Sequence, residues 1–472
     1  MPRTGQMGGV KRMQIIIGSE IRIRDASKDL QDWCSENLII PNPEYTNRTR
    51  RGLWIGNTPR YIWLYRVEGS DLILPTGTGK QIKQFLGPDD QINLDLADNG
   101  ILEFKTDVPL YDYQTQAVEA MKQTGCGILQ SPCGSGKTQC GIALAVQISR
   151  KTLWITHTQD LLNQSMERAA QYLDRSWLGA VTAGKVHIGS HMTFATVQTL
   201  CKLDLSQYKY IWDVIIVDEC HRLAGSPTQV TMFYKVMNSL AARYKYGLSA
   251  TVHRSDGMIK STLSVLGPVA YQVPDEAVAD KTMQVRILQR DTGIKLHRCC
   301  LDTDGTLEYS KLMPYLTENS ERNQLIAADL EHNAGHYNLI LSDRLEHLHR
   351  LMDLLTEAHR EQAVMIDGSM TSKRARAARE RAIEDMRAGR KHFLFASYSL
   401  AKEGLDIPCL DRLYMTTPKK DYAVVTQSIG RIARVSPDKK DAVCYDYVDD
   451  IQFCQNQYKR RRTHYRKAGC VL

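Results

Sequence analysis

No run of about 20 apolar residues occurs in the 472-residue sequence, so a membrane-spanning helix is not expected. The opening segment, MPRTGQMGGVKRMQIIIG, has neither a secretory apolar core nor a cleavage site, and a cytoplasmic protein is expected. No repeat of fixed period and no low-complexity tract is visible. Twelve cysteines are present, but none forms a CxxC pair. A zinc cluster needs ligands in close pairs, so scattered, reduced thiols explain the set better. A large charge excess is also missing. Lys plus Arg number 61 against 53 Asp plus Glu, a net +8 that permits nucleic-acid binding without demanding it. The excess gathers near the C-terminus. What is there is ordinary for an ordered globular protein, 43% hydrophobic and 24% charged. At roughly 100–200 residues per domain, about three domains are expected.

Residues 1–104 read as a small α+β accessory domain with short β-type runs at Met13–Ile17, Ile62–Tyr65 and Asp71–Leu74. Arg48, Arg50 and Arg51 lie close together there, either as a backbone-contact patch or as a solvated loop. From about residue 105 the pattern changes. Strand-length apolar runs at Gly127–Gln130, Thr152–Thr156, Val214–Asp218 and Tyr246–Ser249 alternate with helical stretches. A second series follows at Asn338–Leu341, Ala363–Ile366, His392–Ala396 and Arg412–Thr416. Such alternation marks α/β units with parallel sheets. The expected division is 1–104, 105–280, 281–452 and a basic tail at 453–472. Two α/β units in tandem place the expected site in a cleft between them.

The chemistry starts at Ser131-Pro132-Cys133-Gly134-Ser135-Gly136-Lys137-Thr138, between an apolar strand and an apolar helix. This is a phosphate loop. Its glycines let backbone amides curl around phosphate oxygens. Lys137 is expected on the β and γ phosphates and Thr138 on Mg²⁺. Ser131 replaces the first glycine of the usual pattern, and the two glycines nearest the lysine remain. Leu74–Lys80 also ends in Gly-Lys, but Gln81 follows where a metal-binding hydroxyl is needed, and it reads as a turn after a strand.

The run Ile215–His221 delivers two carboxylates at a strand end. Asp218 suits the metal shell, and Glu219 suits orienting and deprotonating a water. An acid-rich helix cap is the plainer reading of that pair alone. Ser249 and Thr251 end another candidate strand and could sense the carboxylates. Further on, Gln427-Ser428-Ile429-Gly430-Arg431-Ile432-Ala433-Arg434 sets two arginines at helical i,i+3 spacing, on one face. Guanidinium groups there would stabilise charge on a transferring phosphate.

This order of elements resembles the superfamily 2 helicases of the DExH type, here spelled DECH, and within them the UvsW and XPB-like group. The likeness covers about residues 106–450. It implies two tandem RecA-like domains, ATP and Mg²⁺ as cofactors, and ATP-driven movement along one strand. It implies that Tyr111 and Gln114 belong to an adenine-recognition segment. Thr158 and Gln164 would grip a strand backbone, as would Thr196, Gln198 and Thr199. His157 stands where the family often has Pro. Arg344 falls in the next backbone-contact region, and Ser397 with Gly404 and Asp406 matches the segment that links strand contact to the nucleotide. Arg431 and Arg434 would act as arginine fingers, with Gln427 beside them.

The resemblance favours an ATP-dependent DNA helicase or translocase acting on forked or branched DNA, in replication, recombination or repair. If phage-encoded, it would work in the host cytoplasm. An RNA helicase with the same engine is the alternative, and so is a nucleotide-gated clamp that does not unwind. The C-terminal run Tyr458–Lys467 is either a nucleic-acid contact, with tyrosines stacking on bases, or a solvated, frayed tail.

Overall fold

The computed structural model describes residues 12–132, 134–226, 230–252, 257–274, 276–278, 282–367, 373–402, 405, 407–437 and 439–472. Apolar runs bounded by turns form its strands, and the chain divides into two compact units, the second running from Pro274 and also taking in Gly134 and Ser135.

The first unit holds an eight-stranded sheet in the order Lys185–His187, Leu178–Thr182, Met192–Thr196, Thr152–Thr156, Val214–Asp218, Tyr244–Ser249, Cys126–Gln130, Val269–Gln272. All neighbours are parallel except the hairpin that pairs Leu178–Thr182 with Lys185–His187. The central strand Val214–Asp218 is buried along its whole length, as a strand covered on both faces must be. This sheet and its partner in the second unit are the parallel α/β sheets of the expected fold class.

The N-terminal residues form a five-stranded sheet, in the order Arg66–Glu68, Asp71–Leu74, Ile21–Arg24, Gln14–Ile17, Gln91–Leu94, and a separate two-stranded pair, Ile39–Pro41 with Tyr61–Trp63. They belong to the same compact unit as the eight-stranded sheet. Several contacts hold them there. The Lys245 ammonium donates to the carbonyls of Ser19 (3.0 Å) and Met237 (2.9 Å). Lys209 pairs with Asp95 at 2.8 Å. The segment Leu74–Lys80 finds its role here. Gly77 lies so close to the end of helix Ile259–Leu266 that an added Cβ would sit 2.3 Å from the Gly267 nitrogen. Glycine is therefore required by this packing rather than by a phosphate.

The second unit is built on a six-stranded, all-parallel sheet in the order Val285–Lys295, Ala442–Asp450, Arg412–Met415, Asn338–Ser342, Phe393–Ser397, Ala363–Ile366. The C-terminal run is not a frayed tail. Residues Gln452–Lys467 form a helix. Arg461 on this helix is 1% exposed and makes two 2.8 Å bonds to the Asp446 carboxylate. Tyr465 donates to the same carboxylate at 2.6 Å. Tyr458 and Tyr465 are buried, so they are core residues and cannot stack on bases. The run looked uniformly basic in sequence, but one cation in it satisfies a buried acid and draws the helix onto the sheet. Lys459, Arg460, Arg462, Arg466 and Lys467 keep the exposed side.

Candidate nucleotide and nucleic-acid site

In parallel α/β sheets, loops at the carboxyl ends of the strands carry the chemistry. The first unit follows that rule. Strand Cys126–Gln130 leads into the phosphate loop, and helix Lys137–Ile148 leaves it. Gly134 and Gly136 have φ of 82° and 78°, the left-handed region that glycine enters without strain. An added Cβ on Gly136 would also lie 2.4 Å from the Gln114 amide nitrogen. Gln114 is buried, and its oxygen accepts the Tyr111 N–H at 3.0 Å. Tyr111 is exposed and stacks on Tyr113 with ring centroids 5.9 Å apart. The proposed adenine-recognition pair thus adjoins the phosphate loop. The Lys137 ammonium donates to the carbonyls of Ser131 (3.2 Å) and Pro132 (3.1 Å), within the loop. Cys133, Gly404 and Asp406 lie outside the described residues.

Strand Val214–Asp218 ends at the two carboxylates, two strands from Cys126–Gln130 with Tyr244–Ser249 between them. Asp218 is buried, and its carboxylate accepts the Glu219 N–H at 3.0 Å. Burial, together with the Glu219 charge, pushes the Asp218 carboxyl up to about 7, while Lys137 pulls it the other way. Two adjacent acids beside a lysine and a glycine loop fit a divalent cation and a polyphosphate. Asp218 and Thr138 would hold the metal, which would neutralise developing charge on the phosphates. Glu219 has φ of 48°, unusual for a residue with a side chain. Such backbone persists only where surrounding structure enforces it, often at functional sites.

His221 is the residue whose role was not read from the sequence. It sits in the 3₁₀ turn Cys220–Arg222, directly after the carboxylates. Its Nδ1 lies 3.3 Å from a Glu219 oxygen and 3.1 Å from the Ser249 hydroxyl. Ser249 in turn donates to the Thr251 carbonyl at 2.7 Å and accepts the Thr251 N–H at 3.2 Å. The turn brings His221 back over the neighbouring strand, a return that local sequence pattern does not encode.

The proposed strand contacts also gather at strand ends. Thr156 and Thr196 are partners on adjacent parallel strands. Gln198 donates to the His157 carbonyl at 2.6 Å, and the Thr196 and Thr199 hydroxyls are 2.9 Å apart. Thr158 caps helix Gln159–Ala169 by accepting the Leu161 N–H at 3.3 Å. Gln164 is half-buried on that helix.

In the second unit, Ser342 and Ser397 end adjacent strands, and the Ser397 and Ser399 hydroxyls are 2.8 Å apart. Arg344 is exposed at the start of helix Leu345–Asp353. Gln427 is buried on helix Tyr422–Ile432, and Arg431 near its end donates to the Leu405 carbonyl at 2.9 Å. The expected common helix face for the two arginines does not exist. The helix stops at Ile432, and Arg434 lies beyond it in an extended bridge to Thr282. The i,i+3 spacing is helical only while the helix lasts, and here the bridge to Thr282 replaces its final turn.

Two family models match this chain. Residues 107–254 match the res subunit of type III restriction enzymes, and residues 321–436 match the helicase conserved C-terminal domain. The chain therefore belongs to the superfamily 2 helicases. Within that class it is similar to XPB helicases. An Acanthamoeba polyphaga mimivirus protein that carries the name of an ATP-dependent RNA helicase is 28% identical over 360 residues, 74% of this chain and 65% of that protein. The DNA 3'-5' helicase XPB of Kineococcus radiotolerans is 25% identical over 378 residues, 75% of this chain and 61% of that protein. The matches thus span less than two thirds of the length of these two relatives. Among solved structures, the type ISP restriction-modification enzyme LlaBIII bound to DNA aligns with a TM-score of 0.51 at 17% identity, over 72% of this chain and 28% of that one, a likeness of fold. Among the described residues, no helix is long and apolar enough to cross a membrane.

Proposed function

We propose that this protein is an ATP-driven nucleic-acid helicase, and that its substrate is forked or branched DNA. The observation that carries the ATPase reading is the cluster at the strand ends, where Asp218 and Glu219 stand beside the phosphate loop and His221 ties them to Ser249. In this reading Lys137 binds phosphate, and Thr138 and Asp218 hold Mg²⁺. Glu219 orients and deprotonates the attacking water. His221 and Ser249 carry the state of the carboxylates toward Thr251. Thr158, Gln164, Thr196, Gln198, Thr199, Arg344 and Ser397 contact the strand backbone, which positions a strand without reading its sequence. Arg431 and Arg434 supply positive charge to the γ-phosphate, a role that rests on the family resemblance.

The DNA assignment is supported by the XPB relative, whose name specifies a DNA helicase. The mimivirus relative's name favours the second reading, an RNA helicase with the same residues in the same roles. The deciding experiment is Mg²⁺-ATP turnover with single-stranded DNA, duplex, four-way junction and RNA in parallel, with Glu219→Gln as the blank. Junction or fork DNA should stimulate most. Stimulation chiefly by RNA would replace DNA with RNA as substrate, and no turnover on any ligand would leave a nucleotide-gated clamp.

A further inference from the structure

One surface of the N-terminal region takes no part in the site above. Between Pro43 and Trp63 the sequence places Arg48, Arg50, Arg51 and Arg60 against a single carboxylate, Glu44, and adds Trp54, Tyr61 and Trp63. Trp54 is 85% exposed, and Tyr61 and Trp63 are each 44% exposed. A tryptophan that open to water is unusual, because burying its ring is favourable. Alternation along strand Tyr61–Trp63 explains two of the three. Ile62 points into the core, and its neighbours point out.

The loop that carries Trp54 is tied down. Asn42 holds its far end through its own N–H to the Arg60 carbonyl (3.0 Å) and its amide to the Pro59 carbonyl (2.8 Å). The Arg48 guanidinium is clamped by Glu44 at 2.7 Å and donates to the Trp54 carbonyl at 3.1 Å. The Leu53 N–H bonds to the Arg48 carbonyl at 2.9 Å. The Trp54 ring lies against the backbone at Gly56, where an added Cβ would fall 2.8 Å from the ring. The indole is thus presented to solvent by ordered backbone. Glu44 is already engaged by Arg48, so Arg50, Arg51 and Arg60 present their charge outward from exposed positions. The Arg60 guanidinium lies over the Tyr61 ring, 5.4 Å from its centre.

Exposed aromatic faces among unopposed arginines match one kind of polyanion. Phosphates meet the guanidinium groups, and unpaired bases offer flat faces to the rings. A duplex hides its bases in the stack and would use only the charges. We propose that the Trp54, Tyr61 and Trp63 surface, with Arg50, Arg51 and Arg60, is an accessory binding site for single-stranded DNA that stacks an unpaired base on Trp54. The choice of DNA rests on the function proposed above.

The test is equilibrium binding of the full-length chain, without nucleotide, to labelled single-stranded DNA, the same strand with abasic sites, the same sequence as RNA, and duplex. Trp54→Ala should weaken binding to base-bearing DNA about ten-fold, the scale of one stacking contact. It should leave the abasic strand nearly unchanged, and Trp54→Phe should restore most of the loss. Replacing Arg50 and Arg51 together by Ala should weaken both strands and lower the salt dependence by roughly one to two phosphates' worth. Wild-type affinity of Trp54→Ala for base-bearing DNA, or equal losses on the abasic strand, would overturn the stacking site. Unchanged nucleic-acid binding in every variant would give the surface to a protein partner. A Trp54-dependent preference for RNA would overturn the DNA assignment. Because ATP is absent, a failed turnover assay with Trp54-dependent binding would sink the motor reading alone, and the reverse result would sink this site alone.

Discussion

His221 and Ser249 meet at 3.1 Å, the first from the turn after one central strand and the second from the end of the next. The same imidazole nitrogen lies 3.3 Å from the Glu219 carboxylate, so a change at Glu219, the acid proposed to orient water, would reach the neighbouring strand through one side chain. Ser249→Ala should preserve ATP turnover without nucleic acid and reduce its stimulation by DNA about three- to ten-fold, the worth of one hydrogen bond. Steady-state turnover with and without DNA checks this. Equal loss in both conditions would mean that Ser249 serves only the fold.

Gly136 faces two constraints, a φ of 78° and a buried Gln114 nitrogen where its Cβ would go. Gly136→Ala should abolish tight nucleotide binding, measured calorimetrically, and cost about 1–3 kcal/mol of stability through backbone strain. Adding Gln114→Ala should relieve the collision but leave the strain, so recovery should be partial.

Arg461 and Asp446 form a pair with almost no exposure. Removing one partner leaves a buried charge, and Arg461→Ala should cost about 3–5 kcal/mol in thermal or chemical unfolding. Arg462→Ala, one residue away on the exposed side, should change stability by less than about 0.5 kcal/mol. Similar effects from the two would contradict the placement of this helix.

His347 is buried, with Nδ1 3.0 Å from the Ser342 hydroxyl and Nε2 3.0 Å from the Asn323 amide oxygen. Burial, then the charges of Arg322 and Arg350, pushes the imidazole down to about 3. In the unfolded chain it titrates near ~6.5. The unfolded state therefore takes the proton first. The stability this residue contributes is present above pH ~6.5 and is lost as pH falls toward about 3, with a slope of at most ~1.4 kcal/mol per pH unit. Unfolding of His347→Asn over that window should show a flatter pH dependence than the wild type.

Strand positions were largely legible from the chain itself. Thr152–Thr156 and Val214–Asp218 form as their apolar runs predict, because a strand buried on both faces must be apolar throughout. Ala363–Ile366 also forms, at the sheet edge and largely half-buried. The phosphate loop and the carboxylate pair were legible for a related reason. Their chemistry depends on residue types at fixed local spacing, next to a strand end.

Other features depended on partners far along the chain. Arg431 and Arg434 keep helical spacing, yet a bridge from Thr282 takes Arg434 off the helix. Arg461 reads like the cations around it until Asp446, fifteen residues earlier, claims it in the core. Gly77 resembles a phosphate-loop glycine, and only the approach of the backbone at Gly267 shows what it is for. The amino-acid order alone determined the parallel α/β class and pointed to the residues of the proposed nucleotide site, because burial pattern and short-range spacing are local properties. Tertiary structure decided His221's link to Ser249, the burial of the C-terminal helix and the open face of Trp54. Each of these depends on which distant groups fill, or leave empty, the space around a side chain.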